Sequence, residues 1–128
     1  MVNPRFLTLA EVVEIHKDQI ERYGGHLGVR DYGLLGSAVA APAMTFDGNY
    51  LYKDLFEMAV TYVFHICQNH PFFDGNKRTA LASGLVFLEL NGITIIDENG
   101  ILYLAVLETA TGNLDKSELE RVFRDLIC

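Results

Sequence analysis

The chain has 128 residues, a hydrophobic fraction of 50% and a formal net charge of −7 at pH 7. This length fits one domain with a substantial core, and the composition excludes a disordered chain. Ten lysines and arginines against 17 acids provide no basic face for direct contact with nucleic acid. No apolar run approaches the roughly 18 residues of a membrane span, and no secretion leader is visible. We therefore expect a single domain over residues 1–128, located in the cytoplasm.

Two amphipathic helices are predicted in the first third of the chain. Thr8 and Glu11 have the spacing of a capping box and begin a helix that runs to about residue 21. His16 lies on the inner face of this helix, and we interpret it as a hydrogen-bonded core residue rather than a ligand. Asp31 can cap a second helix, which a proline ends.

A tight hairpin is predicted over residues 45–52. Asp47 and Gly48 stand between aromatic and β-branched residues, and an Asp-Gly pair in this setting is a strong signal for a two-residue turn.

Two apolar helices flank the next polar stretch. Asp54 begins the third helix, in which apolar residues recur at helical spacing. The fourth helix runs from about Lys77 to Leu90 and is apolar almost all round, so we expect it to be the central buried helix. Cys67 and Cys128 lack metal-binding spacing. Cys67 is interpreted as a small core residue.

The last third of the chain predicts a short strand over 93–96 and a fifth helix over about 99–109. Asp115 and Glu118 begin the last helix. Together the elements predict an all-α fold, a compact bundle of about six helices with a small hairpin.

The stretch between the third and fourth helices has the composition of an anion site. The first N–H groups of a helix lack internal partners, and the helix dipole adds positive charge there. Gly75 lets the backbone approach an anion closely. Asn76, Lys77 and Arg78 add side-chain donors around it. These four residues are the candidate phosphate-binding group.

Three residues upstream complete the candidate site. His70 carries an imidazole that can accept a proton from an attacking hydroxyl near neutral pH. Asp74 is a hard oxygen ligand suited to Mg²⁺, which usually arrives bound to nucleotide phosphates. Phe72 is apolar, and we interpret it as an anchor that fixes the loop to the core. The residues therefore indicate phosphoryl or nucleotidyl transfer from a magnesium-bound nucleotide.

Residues 70–78 resemble the signature of the Fic superfamily, a His-Pro-Phe-x-(Asp/Glu)-Gly-Asn-(Gly/Lys)-Arg loop followed by a helix. Lys77 stands where the best-known Fic enzymes carry a second glycine, and Leu81 stands where they carry a second arginine. Both departures resemble the death-on-curing toxin branch, as do Arg-Tyr-Gly-Gly at 22–25 and Ala-Thr-Gly at 110–112.

This resemblance implies a Fic-fold bundle and a toxin that transfers the terminal phosphate of ATP. Its family target is a threonine of elongation factor Tu, whose modification halts translation. His70 would be the base, Asp74 the carboxylate linked to Mg²⁺, and residues 75–78 the phosphate cradle. A cognate antitoxin is implied as a partner, with a flexible segment that folds as a helix into a groove near the site.

The resemblance also suggests a role for the hairpin. In Fic relatives a flap near this position aligns the target segment by strand addition. Residues 45–52, with Phe46 and Tyr50, would form such a flap. An ordinary surface loop is the alternative.

Two other functions remain open. The same site could transfer AMP or another nucleotide to a protein hydroxyl. The chain could also be a non-catalytic nucleotide-binding module, because Leu81 removes one phosphate ligand. The presence of His70 argues against this module, since a decayed enzyme is expected to lose its base.

Overall fold

The computed structural model describes residues 3–126. This part of the chain folds as six α-helices and one small hairpin, which confirms the predicted all-α bundle. The helices are α1 (Leu9–Tyr23), α2 (Tyr32–Ala40), α3 (Leu55–Asn69), α4 (Asn76–Leu90), α5 (Ile101–Ala110) and α6 (Lys116–Asp125). A 3₁₀ turn (Ala41–Ala43) follows α2, and strands β1 (Thr45–Phe46) and β2 (Asn49–Tyr50) pair antiparallel.

Four helices begin at the polar residues that the sequence pattern indicated. Thr8 and Asp115 each form a capping box with the glutamate three residues later. The side chains of Asp31 and Asp54 each accept a hydrogen bond from a backbone N–H in the first turn of α2 and α3. A cap of this kind stabilises a helix by about 1 kcal/mol.

The central helix is α3, and the prediction that α4 is central was wrong. Eight residues of α3, between Phe56 and Ile66, are buried. This helix packs against α2, the 3₁₀ turn, α4, α5 and α6. Helix α4 buries one face only, and Leu81, Leu85 and Val86 on its other side are partly exposed. The hydrophobicity of α4 does not make it the central helix, because the central helix is the one that most other elements surround.

Helices α3 and α4 pack closely enough to exclude a side chain at Gly84. A Cβ there would lie 2.7 Å from Cγ2 of Val63 and 3.2 Å from the carbonyl oxygen of Ala59. This antiparallel pair holds both ends of the connecting loop, residues 70–75, at one end of the bundle.

The hairpin turn has the backbone conformation that its sequence predicted. Asp47 and Gly48 have φ angles of 54° and 79°, as the favoured two-residue turn requires. The strand predicted over 93–96 is not one of the two strands among residues 3–126. Instead, the backbone N–H of Ile96 donates to the carbonyl of Leu126 at the end of α6.

Membrane insertion of a helix finds no support in the structure. Among residues 3–126, every helix is too short or too polar to cross a bilayer.

Candidate active site

The loop between α3 and α4 is anchored to the core through Phe72. This side chain is fully buried. The ring of His16 in α1 stacks on it with 3.9 Å between ring centroids and an interplanar angle of 5°. His16 Nε2 also donates to the carbonyl oxygen of Asp74 at 2.9 Å. His16 is therefore a buried, hydrogen-bonded residue, as the sequence indicated. Through Phe72 and Asp74 it holds the loop against α1.

The side chain of Asn76 acts within the loop rather than toward a ligand. Its Oδ1 accepts from the backbone N–H of Phe72 at 2.9 Å, and its Nδ2 donates to the Phe72 carbonyl at 3.0 Å. The same Nδ2 donates to Nδ1 of His70 at 3.1 Å. Both amide hydrogens are thus used, so the structure gives the predicted phosphate-binding side chain a different role. Only the backbone N–H of Asn76 remains available to an anion.

His70 ends α3 in a left-handed conformation, with φ 50° and ψ 53°. This conformation is unfavourable for a residue other than glycine and costs about 1–3 kcal/mol. Arg30 offsets part of this cost, because its guanidinium donates to the carbonyl oxygens of His70 and Asn69 at 2.6–3.1 Å. Sequence reasoning missed Arg30, since no spacing links it to the loop.

An extended segment, residues 26–31, runs beside the loop and holds it by backbone contacts. Val29 and Phe72 form an antiparallel bridge. The N–H of Phe73 donates to the Gly28 carbonyl, and the N–H groups of Arg30 and Asp31 both donate to the Pro71 carbonyl. The loop is therefore fixed by two elements that are distant in sequence, α1 and residues 26–31.

Asp74 connects this segment to the start of α4. Its Oδ2 accepts from the N–H of His26 at 3.0 Å, and its Oδ1 accepts from the N–H of Gly75 at 2.9 Å. These hydrogen bonds lower the pKa of the Asp74 carboxyl below its ordinary value, and the bond from His26 has the larger effect. The group is therefore ionised at neutral pH.

Asp74 fits a magnesium ion that is shared with phosphates. Its side chain is exposed, and each oxygen has used only one lone pair. Mg²⁺ in nucleotide sites commonly takes one or two carboxylates, with phosphate oxygens and waters as its other ligands. The described residues contain no cluster of three or more His, Cys, Asp or Glu that could hold a metal alone. This pattern suits an ion that arrives with a nucleotide.

The first turn of α4 presents free donors. Gly75 precedes it with φ 72°, and a Cβ there would lie 3.0 Å from Cδ1 of Ile20. The backbone conformation and the close contact both favour glycine at this position. Within residues 3–126, the backbone N–H groups of Asn76, Lys77 and Arg78 have no acceptor. Three unpaired amides at the positive end of a helix are the arrangement that an anion site uses.

Two adjoining clefts open onto these donors. The larger, of about 320 Å³, is lined by His70, Asp74, Asn76 and Lys77 together with Cys67, Phe73, Gly75 and Ala110. The second, of about 190 Å³, is lined by Tyr23, Gly24, Tyr103 and residues 74–78. The structure thus brings His70, Asp74 and the cations of α4 to one surface.

Leu81 lies one turn beyond Arg78 and lines a third cleft of about 290 Å³ with it. The position is directed toward a pocket, but leucine contributes no charge there. Because Leu81 stands at the position of the second arginine of the Fic signature, the third cleft lacks that positive charge.

Cys67 lines the larger of the two clefts at the start of α4 without being reactive. Burial raises the pKa of its thiol to about 11, although the nearby charge of Lys77 opposes this shift. The thiol is protonated at neutral pH, which agrees with a packing role. Cys128 lies outside the described residues.

Phe46 and Tyr50 of the hairpin do not line the three clefts around the start of α4. Tyr50 packs against Phe6 with 5.5 Å between ring centroids, and Phe6 stacks on Phe87. Phe46 is 77% exposed. The role of residues 45–52 as a target flap stays a prediction, with an ordinary surface loop as its alternative.

Acid should destabilise the fold through His16. Burial lowers the pKa of this imidazole, although the hydrogen bond to Asp74 opposes the shift. The folded state keeps the ring neutral, whereas the unfolded chain binds a proton below about pH 6.5. The contribution of His16 is therefore present above that pH and is lost as the pH falls below it.

We expect the free energy of unfolding, measured in urea, to fall between about pH 7.5 and pH 5.5. A His16→Gln variant keeps a donor but cannot titrate, so its stability should fall less steeply. Burial also lowers the pKa of His65. The slope of stability against pH is therefore measured for a His65→Gln variant as well, so that the contributions of the two histidines are separated. Equal slopes for His16→Gln and the unsubstituted protein would contradict the assignment.

The fold and the loop define an all-α protein of the Fic type with a candidate anion site at the start of a helix. The model of the Fic/DOC family matches residues 6–88, and the chain belongs to this family. It is similar to a protein named Toxin Doc from Mycolicibacterium smegmatis, with 45% identity over 73 residues. That match covers 57% of this chain and 56% of the relative, so it spans about half of each. The chain is also 35% identical over 126 residues to Protein kinase doc of Escherichia phage P1, with 95% of both chains covered.

Proposed function

We propose that this chain is a toxin of the kinase type, which transfers the terminal phosphate of ATP to a Ser or Thr hydroxyl of a translation factor. The observation that carries the proposal is the common cleft of His70, Asp74, Lys77 and the free amides of α4. Similarity over almost the whole chain to a relative named Protein kinase doc supports the reaction type. The proposed protein target is elongation factor Tu.

The chemistry is a displacement at the terminal phosphorus. The target hydroxyl oxygen forms a bond to phosphorus, the bond to the bridging oxygen breaks, and ADP leaves with the bonding electrons. His70 takes the hydroxyl proton. The free amides of α4, with Lys77 and Arg78, stabilise charge on the phosphate oxygens. Most of the rate enhancement then comes from positioning and electrostatics.

The ring of His70 rests in a defined tautomer. Nδ1 accepts from Asn76, whose amide oxygen is fixed by the N–H of Phe72. The neutral ring therefore carries its proton on Nε2. For Nε2 to act as the base, the ring must take the tautomer with its proton on Nδ1, which requires the hydrogen bond from Asn76 to be released.

Asp74 is the residue that would hold Mg²⁺. Bound there with ATP, the ion would neutralise phosphate charge. The hydrogen bonds from His26 and Gly75 keep the Asp74 carboxylate ionised and oriented for this role.

Lys77 and Leu81 favour phosphate transfer over AMP transfer. Lys77 places a bulky cation where AMP-transferring relatives have glycine, and it lines both clefts at the start of α4. Leu81 offers no charge in the third cleft, so a phosphate held there in those relatives would lack its partner. AMP transfer and binding without turnover remain the competing functions.

A toxin of this type requires a cognate antitoxin as its partner, and a translation factor as target places its action in the cytoplasm. The name of the mycobacterial relative, Toxin Doc, supports this pairing.

The decisive experiment is intact-mass spectrometry of elongation factor Tu after incubation with this protein, ATP and Mg²⁺. We expect a gain of about 80 Da, which is one phosphate. A parallel reaction with ADP, which lacks the terminal phosphate, should give no adduct. A gain equal to an AMP unit would establish the nucleotidyl alternative. No adduct on any protein in a lysate supplied with labelled ATP would overturn the proposed activity.

A further inference from the structure

Arg78 is held by aromatic rings rather than by a carboxylate. Its Cζ lies 3.9 Å from the ring centroid of Tyr23 and 4.3 Å from that of Tyr103. Both distances are well within the range of a cation–π interaction. Tyr23 is the last residue of α1 and Tyr103 lies in α5, so two other helices fix this side chain of α4.

This arrangement leaves the charge of Arg78 available. The ion pairs among residues 3–126 involve Arg5, Arg22 and Arg124. A carboxylate partner would compete with an incoming phosphate for the N–H groups of the guanidinium. A π face attracts the cation but accepts none of the strong hydrogen bonds that its N–H edges offer.

The location of the rings connects them to the anion site. Tyr23, Tyr103 and Arg78 line the second cleft together with Lys77 and residues 74–76 at the start of α4. Tyr23 is 58% exposed, so its ring gains little from core packing.

We propose that Tyr23 and Tyr103 are positioning residues that orient Arg78 for a phosphate group without neutralising it. This inference rests on the proposed phosphate site and extends it to two residues outside the sequence signature. A guanidinium that is already oriented loses less side-chain entropy when it binds a phosphate. The clamp, defined as these two rings, should therefore appear as affinity for phosphates.

The test is the dissociation constant of inorganic pyrophosphate, measured by calorimetry on the full chain. Tyr103→Leu should weaken binding roughly two- to fivefold, which is the range expected for one exposed cation–π contact. Tyr103→Phe keeps the ring and should restore most of that affinity. In an Arg78→Ala background, Tyr103→Leu should cause no further loss, because the ring acts through Arg78.

A second cation–π pair provides a matched control. Lys116 Nζ lies 3.9 Å from the ring centroid of Tyr52, and neither residue lines the clefts around α4. Tyr52→Leu should change thermal stability without changing pyrophosphate affinity.

Three results would overturn the inference. The first is an equal loss of pyrophosphate affinity for Tyr103→Leu in the presence and in the absence of Arg78. The second is an equal loss of this affinity for Tyr103→Leu and Tyr103→Phe. The third is that the unsubstituted protein does not bind pyrophosphate. The proposed kinase activity fails separately: pyrophosphate binding that shows the clamp, with no transfer from ATP, would remove the activity and leave the clamp intact.

Discussion

Replacement of His70 by alanine should reduce phosphate transfer by about 10²–10⁴-fold, the usual contribution of a positioned general base. ATP affinity should change little, because the phosphate donors belong to α4 rather than to His70. Single-turnover transfer of labelled phosphate measures the first effect, and calorimetric titration with ATP measures the second.

A glycine variant at the same position separates catalysis from folding. His70 has φ 50°, a conformation that glycine adopts without strain. His70→Gly should therefore be as inactive as His70→Ala, yet more stable than it by about 1 kcal/mol. Transfer within tenfold of the unsubstituted rate in either variant would exclude His70 as the base.

Replacement of Asn76 by alanine should lower the free energy of unfolding more than the substitutions at His70 or Asn91. The side chain is 6% exposed and satisfies both the N–H and the carbonyl of Phe72. Removal leaves these two groups unpaired in a buried site, at about 1–3 kcal/mol each. We expect the free energy of unfolding in urea to fall by about 2–4 kcal/mol. Phosphate transfer should also fall, because the loop that carries His70 loses the two hydrogen bonds that fix the backbone of Phe72.

Asn91 provides a matched control for this prediction. Its Oδ1 accepts from the N–H of Arg5, and its Nδ2 donates to the carbonyls of Arg5 and Phe87. Asn91 forms hydrogen bonds in a pattern like that of Asn76. It lies at the opposite end of α4 and is only partly buried. Asn91→Ala should be less destabilising and should leave transfer unchanged. A transfer rate for folded Asn76→Ala equal to that of Asn91→Ala would contradict the positioning role of Asn76.

Prediction from sequence succeeded where the physical cause is local. The caps Thr8, Asp31, Asp54 and Asp115 act within one helical turn, so the residues themselves specify where their helices begin. The Asp-Gly turn at 47–48 is likewise decided by its own backbone preferences.

Prediction failed where several elements act together. The centre of the bundle is α3, because five neighbouring elements surround it, and no periodicity within α3 reports them. The hairpin was correctly predicted as a hairpin, but the packing of Tyr50 against Phe6, which in turn stacks on Phe87, was not predicted. These residues are far apart along the chain, so no local pattern reports their contact.

The sequence alone determined the six-helix class and the position of the loop 70–78 before a helix, and it predicts an anion site there, because helix termini and residue charge are local properties. Only the tertiary structure decided what each loop residue does. Asn76 is turned inward by the buried backbone of Phe72, and Arg78 is held by Tyr23 and Tyr103. Such roles depend on groups that are far apart along the chain and meet only when the core forms.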